Sequence, residues 1–456
     1  MLVARRHPLP GWHDPEAVFR RLFARERTAF WLDGGADAVA GRSWMGSSRE
    51  WLTASVSGGT VTHHGPAGER SRRAGIFEAL ADELGEASPA LDAVIGWVGW
   101  LGYEVGQQSA GVPLPASPYP DAALLRATRV IGFDHGRRIV ELVGLDDDPG
   151  FEAWALEVQA RLDDEDIVWD AESPLPSPGT PVARWRHGET DYLAAIDAAQ
   201  AAIARGDAYQ LCLTNSVTVP GVFDPLETYR RVRASSPSHH GGFLRFGEIA
   251  LLSASPEQFL RVDAGRGVRT RPIKGTRPRG GTLAADIAMR AELEASEKEQ
   301  AENLMIVDLM RNDLGRVARL GSVRVSSLLA VESYAHVHQL VSTVEADLAD
   351  GRSALDAVRA CFPAGSMTGA PKISAMRILS DLEKGPRGVY SGAFGYLGFD
   401  GTADLAMVIR SIVLTPDAAA IGTGGGITAL SVPREEVDEM RLKARALLAA
   451  LGVDAD

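Results

Sequence analysis

At 456 residues the chain is long enough for two domains or one large two-part domain. Its 45% hydrophobic and 23% charged residues are ordinary for a globular protein. A net charge of −13 argues against a nucleic-acid binder, because phosphate contacts need a basic face. Any anionic ligand would need a local basic pocket or a metal ion.

The N-terminal M-L-V-A-R-R-H-P-L-P lacks an apolar core of signal-peptide length, and no run of about 18 apolar residues occurs. The expectation is a cytoplasmic protein with no membrane contact. Cys212 and Cys361 sit far apart in apolar surroundings, which predicts two buried free thiols and no disulfide.

Short strands are expected at 30–33, within 93–103 and at 138–145. Gly96, Gly99 and Gly102 punctuate the middle run and imply close backbone packing. A helix follows from Phe151. Residues 171–183 hold four prolines and no aromatic, so they read as a linker between an N-terminal region, 1–170, and a second region, 184–456. Beyond it, helical spacing at Leu193, Ile196 and Ile203 ends at Gly206, and strands are expected at 209–219, 243–253 and 258–262. One long helix is predicted from about Asp286 to Arg311, with further helices at 353–361, 371–383 and 433–451. Strands near 389–399, 404–414 and 419–422 lie between them. Without a regular βαβ period, the pattern favours an α+β fold over a doubly wound sheet.

Five features bear on chemistry. Glu299 with Glu302, and Glu436 with Glu439, are i, i+3 pairs, each on one helix face. Facing helices of this kind would suit a hard divalent cation, and a solvated acidic face fits the spacing equally. G-T-G-G-G-I-T at 422–428 reads as a backbone anion nest or a plain turn after a strand. P-A-G-S-M-T-G-A-P-K at 363–372 reads as a glycine-rich loop feeding a helix, with Ser366 and Thr368 of capping type. Arg410, inside the apolar A-M-V-I-R-S-I-V-L, needs a carboxylate partner, either internal or a ligand's. Finally, Lys274 lies in R-T-R-P-I-K-G-T-R-P-R-G, in a chain with 42 arginines and only five lysines. Only lysine can shed a proton and act as a nucleophile, and neighbouring arginines would push its pKa down. A surface lysine in a basic loop is the alternative.

Together P-I-K-G-T-R-P-R-G, A-E-N-L-M-I-V-D-L-M-R-N-D-L-G-R-V, L-V-S-T-V, P-A-G-S-M-T-G-A-P-K, Y-S-G-A-F-G-Y-L and G-T-G-G-G-I-T, in order over 206–450, resemble the chorismate-utilising enzymes. These include anthranilate synthase component I, aminodeoxychorismate synthase component I and the isochorismate and salicylate synthases. The resemblance implies a large α/β sandwich holding chorismate and Mg²⁺. It implies Glu302 and Glu439 as metal ligands, with Glu436 and Glu299 acting through the metal's waters. Arg410, Tyr390 and the backbone of Gly424, Gly425 and Gly426 match groups that receive the substrate carboxylates. Gly275, Thr276, Ser366 and Lys443 match other contacts.

Two positions point within the family. Gln210 stands where the water-adding members carry a basic lysine, and Lys274 stands where anthranilate synthases carry alanine. Lysine there resembles aminodeoxychorismate synthase component I, where it attacks chorismate C2 and ammonia then adds at C4. That reading implies Lys274 as nucleophile and Glu257 as general acid, in 4-aminobenzoate, folate or related biosynthesis. Amination at C2, or chorismate binding without turnover, are the alternatives. The resemblance also implies a glutamine amidotransferase partner supplying ammonia, since neither cysteine lies in a nucleophile elbow. A separate enzyme would then eliminate pyruvate. Where many relatives carry histidine before L-V-S-T, this chain has Gln339, with His338 one residue earlier.

Overall fold

The structure, a computed structural model, describes residues 2–85, 87–88, 90–164, 182–334 and 336–453. Most of the proline-rich segment 171–183 therefore lies outside the described residues. Two twelve-stranded sheets dominate the fold, each taking strands from both sides of residues 165–181. In the first sheet Thr28–Asp33 pairs with His240–Phe246. In the second, Gly96–Leu101 pairs with Ala393–Gly398. The main apolar core draws on both sheets, with Phe30, Leu244 and Leu251 meeting Trp97, Phe394 and Leu405 in one buried cluster. Helices Pro15–Phe23, Pro225–Ser235 and Pro433–Ala450 cover the other face of the first sheet, around Phe19, Tyr229 and Leu447. This is the α+β architecture expected from the mixed element order.

The glycines of 96–102 explain how the central strands fit together. A Cβ on Gly99 would lie 1.9 Å from the Ala123 carbonyl oxygen, and one on Gly96 2.2 Å from that of Leu397. Both are inside van der Waals contact, so only glycine lets these strands approach.

Three expected elements are interrupted. The expected strand 243–253 is a hairpin, His240–Phe246 and Ile249–Ser255, turning at Gly247 with φ +62°. The expected helix 286–311 is two helices, Leu283–Ala295 and Glu297–Gly315, separated at Ser296, whose backbone is extended. The break lets the two run differently: the first buries only Leu293, whereas the second buries Glu302, Asn303, Ile306 and Val307. The expected strand 404–414 is divided into Ala403–Met407 and Ser411–Leu414, with Arg410 between them at φ +52°. Among the described residues both cysteines are free and buried, and no helix is long and apolar enough to cross a membrane.

The close approach at Gly99 is testable. Gly99→Ala should destabilise the protein by about 2 kcal/mol or more, read from denaturant unfolding. An unchanged midpoint would mean that these strands do not pack as described.

Candidate active site

The site forms where four segments meet around Gly425 and Gly426. These glycines do not form a turn. They continue the strand Ala418–Ile427, pairing with Leu213 and Cys212 of Gln210–Pro220. On its other edge the strand pairs with Ser411–Leu414 only as far as Ile421, so pairing on that side stops just before the glycines. Side chains fill the space that Cβ atoms would take. A Cβ on Gly422 would lie 2.0 Å from the Tyr390 ring, and one on Gly426 2.4 Å from Gln210 Nε2 and 2.9 Å from Glu302 Oε2. At Gly425 it would meet Glu436 Oε2 at 3.1 Å and Glu439 Oε1 at 3.7 Å. The glycine run is therefore a bare strip of strand that lets three carboxylates converge.

Helix Glu297–Gly315 supplies Glu302, 5% exposed, and helix Pro433–Ala450 supplies Glu436, 2% exposed, and Glu439. Each is matched by an ammonium group. Lys274 Nζ lies 3.7 Å from Glu302, Lys298 Nζ donates to Glu436 at 2.8 Å, and Lys443 Nζ lies 2.6 Å from Glu439. Lys443 also donates to the Gly424 carbonyl at 2.8 Å. Burial pushes the Glu302 carboxyl upward, with Lys274 opposing it. Glu439 moves downward: burial opposes ionisation there, but Lys443, Lys298 and Lys274 outweigh it.

Lys274 reaches this cluster through a bulge. In the strand Ile273–Pro278 the pairing register shifts between Ile273 and Thr276. Gly275 sits in the bulge at φ +83°, where a Cβ would lie 2.7 Å from Leu293 and 3.0 Å from the Glu299 carboxyl carbon. Lys274 is largely buried, and its neighbours are not the arginines of its own segment. Arg271 bonds to Glu332, Arg277 to Glu292 and Arg279 to Asp286. Burial acts to lower the Lys274 pKa, but Glu302, Cys212, Glu257 and Glu439 raise it and prevail. The expected downward push from like charge is thus replaced by an upward one, since acidic groups surround the amine.

Glu257, 6% exposed, is pushed up to about 7 by burial, against hydrogen bonds from Ser366 and the Ile273 backbone and the charge of Lys274. Ser366 belongs to the short helix Gly365–Thr368. The expected loop is thus folded, and Gly369–Ala370 adds a short strand beside Gln210 and Leu211. The helix Lys372–Glu383 is capped by neither Ser366 nor Thr368; Thr368 bonds to the Ala364 carbonyl instead.

Arg410 and Tyr390 line the adjoining side. Burial lowers the Arg410 pKa, with Tyr390 and Glu439 opposing. Among the described residues no carboxylate lies within ion-pair distance of it, so the partner expected from sequence is not an internal one. Burial raises the Tyr390 hydroxyl far above its usual range.

Two candidates lie at the margin. Thr276 is exposed opposite Gln339, and the Glu299 carboxylate lies 3.6 Å from Arg277. His338 hydrogen-bonds to Asp286 and Ser333 on the other face of its strand from Gln339.

Sequence reasoning missed Lys298 and the pair beneath the site, Glu383 and Arg387. Arg387 is buried, bonding Glu383 at 2.6 and 2.8 Å and the carbonyls of Cys212 and Met367. It also lies 4.2 Å from the Tyr103 ring centroid. A cavity of about 550 Å³ elsewhere, lined by residues such as Leu2, Arg49, Arg126 and Phe399, contains none of the candidates.

The donors suit a hard divalent cation in chemistry, all being carboxylate oxygens. Glu436 Oε2 is buried with no hydrogen-bond partner. Among the described residues no three acidic, histidine or cysteine groups stand close enough to hold a metal ion as they are placed. Ammonium groups occupy the carboxylates instead.

This geometry accords with comparisons to known proteins. Residues 12–449 match the model of the chorismate binding enzyme family, and the chain belongs to that family. It is 43% identical over 96% of its length to an aminodeoxychorismate synthase of Streptomyces pristinaespiralis, of which it spans 64%. It is 41% identical to anthranilate synthase component 1 of Streptomyces coelicolor, over 78% of this chain and 72% of that one. The crystal structure of anthranilate synthase component I from Streptococcus pneumoniae matches with a TM-score of 0.76 at 26% identity, covering 97% of this chain and 99% of that one. The chain thus spans slightly less than two thirds of its aminodeoxychorismate synthase relative.

The raised Glu257 carboxyl gives a sign to test. With a folded pKa of about 7 against 4.5 unfolded, the folded state holds an extra proton between those values. This group's contribution to stability is full below pH 4.5 and is lost as pH rises through 7. Glu257→Gln should remove that dependence, so its stability relative to wild type should improve between pH 5 and pH 8 in urea unfolding. A constant difference would refute the assignment.

Proposed function

We propose that this chain is the chorismate-aminating component of an aminodeoxychorismate synthase. It would convert chorismate and ammonia to 4-amino-4-deoxychorismate with Mg²⁺, the ammonia coming from a glutamine amidotransferase partner. The observation that carries this reading is a buried lysine amine, Lys274, in one site with a carboxyl poised near neutrality, Glu257.

In this reading the Lys274 amine, after losing its proton, forms a bond to C2 of chorismate. Both ring double bonds shift, C1=C2 to C1=C6 and C5=C6 to C4=C5, and the C4–O bond breaks. Glu257, still protonated in part at neutral pH, gives its proton to the departing hydroxyl, which leaves as water. Ammonia then bonds at C4, the C2–N bond breaks, and Lys274 leaves as the amine. Arg410 and the unpaired strand edge at Gly422–Gly426 would receive carboxylate, and Tyr390 would border the ring. Glu302, Glu436 and Glu439 would hold Mg²⁺, which when bound supplies positive charge to the ring carboxylate. Gln210 has no basic atom, which disfavours activation of water in place of ammonia. The 41% identity to an anthranilate synthase component keeps amination at C2 as the second reading.

Incubation with chorismate, Mg²⁺ and ammonium should give a product that NMR identifies as aminated at C4. Amine at C2 would establish the second reading instead. Intact mass should reveal a covalent adduct during turnover that Lys274→Ala lacks, and an adduct on any other residue would exclude Lys274 as nucleophile. Arg410→Met should weaken chorismate binding by on the order of thirtyfold, while the melting temperature holds or rises because a partly buried charge without an internal ion-pair partner is removed. Lost stability with unchanged binding would give Arg410 a purely structural role.

A further inference from the structure

Three of the five lysines in this chain, Lys274, Lys298 and Lys443, meet the three carboxylates of the site one to one. Charge is thus already balanced without a metal ion. The three ammonium groups are not held alike. Lys443 is also tied to the Gly424 carbonyl, and the Lys274 side chain is only 13% exposed. Lys298 stands in the first turn of the helix Glu297–Gly315 with its side chain 32% exposed, and it hydrogen-bonds to Glu436 Oε1. It has an open route to water. Glu436 Oε2 stays buried and unpartnered beside it.

We propose that Lys298 is a displaceable counter-ion of the cation site: it occupies Glu436 in the metal-free protein, must swing away when a divalent cation binds, and so sets metal affinity. The inference rests on the reading of Glu302, Glu436 and Glu439 as a Mg²⁺ site. A lysine suits the task because its ammonium is a compact charge on a flexible stem, engaging one oxygen and leaving the other open. Arginine would engage both oxygens with a planar fork and be harder to displace.

The test is Mg²⁺ affinity by isothermal titration calorimetry, with Mn²⁺ binding by electron paramagnetic resonance as a second readout, both without substrate. Lys298→Gln should bind Mg²⁺ about tenfold more tightly than wild type, the size of one partly buried ion pair relieved. Lys298→Arg should bind it several-fold more weakly. Equal or weaker binding by Lys298→Gln overturns the proposal, as does tighter binding by Lys298→Arg, which keeps the charge should the glutamine variant fail to fold. Wild-type protein that binds neither Mg²⁺ nor Mn²⁺, even with chorismate present, would sink the metal reading itself and this inference with it. Wild-type binding with an unaltered variant would sink this inference alone.

Discussion

Glu302 and Glu436, buried beside the partly exposed Glu439, cannot be held together unless positive charge accompanies them. In this protein that charge is ammonium, one group for each of Glu302, Glu436 and Glu439. Much of the surrounding geometry serves this arrangement. A Cβ at 426 would collide with Gln210 and Glu302, and one at 425 would press on Glu436, so glycine there leaves room for the acids. Helix Pro433–Ala450 packs on this strand, and helix Glu297–Gly315 packs on the strand that carries Lys274. The break at Ser296 frees the second helix to turn its acidic face inward while the first stays at the surface.

The choice between lysine and arginine follows from the same balance. Arginines hold fixed structural pairs here: Arg387 with Glu383 beneath the site, and Arg233 with the buried Asp33. Their planar forks and permanent charge suit bonds that need not break. Lysine is not confined to the site, since Lys372 holds the buried Asp313, but the ammonium groups at the three site carboxylates are all lysine. The acidic surroundings that make Lys274 tolerable when buried also hold its proton, so nucleophilicity requires that those carboxylates engage something else. In the proposed mechanism the site is balanced at rest, and Lys274 would become reactive when ligands engage those carboxylates.

How much of this was legible in the sequence depended on whether a feature is local. Several strand and helix positions, the free thiols and the close approach of Gly96 and Gly99 are written in neighbouring residues and are found in the structure, although three expected elements are interrupted. Motifs in the second half of the chain led to the family and to residues that the structure gathers around one strip of strand. What failed was non-local. The glycine run looked like a turn because its reason for lacking side chains lies on distant helices. Arginines beside Lys274 in sequence looked like its electrostatic environment, but alternation and a bulge send them elsewhere. Lys298 carried one usable signal, the scarcity of lysine, and it passed unused because its partner is 138 residues away.

Arg410 makes the strongest case that the site is built for an anion. Its backbone adopts φ +52°, a region unfavourable for residues that carry a Cβ, and its guanidinium is desolvated enough to lower its pKa. Both features oppose stability, and no carboxylate among the described residues lies within ion-pair distance of Arg410, although the charge of Glu439 acts on it from farther away. Elsewhere in the same protein a buried arginine is satisfied completely, as Arg387 is by Glu383 and backbone carbonyls. The contrast between the two is chemical: one cation is closed by the fold, and the other is left open beside an unpaired strand edge. A carboxylate arriving from outside would complete Arg410, and a substrate with two carboxylates would do so while presenting the second to the acidic side, where the proposed cation would meet it.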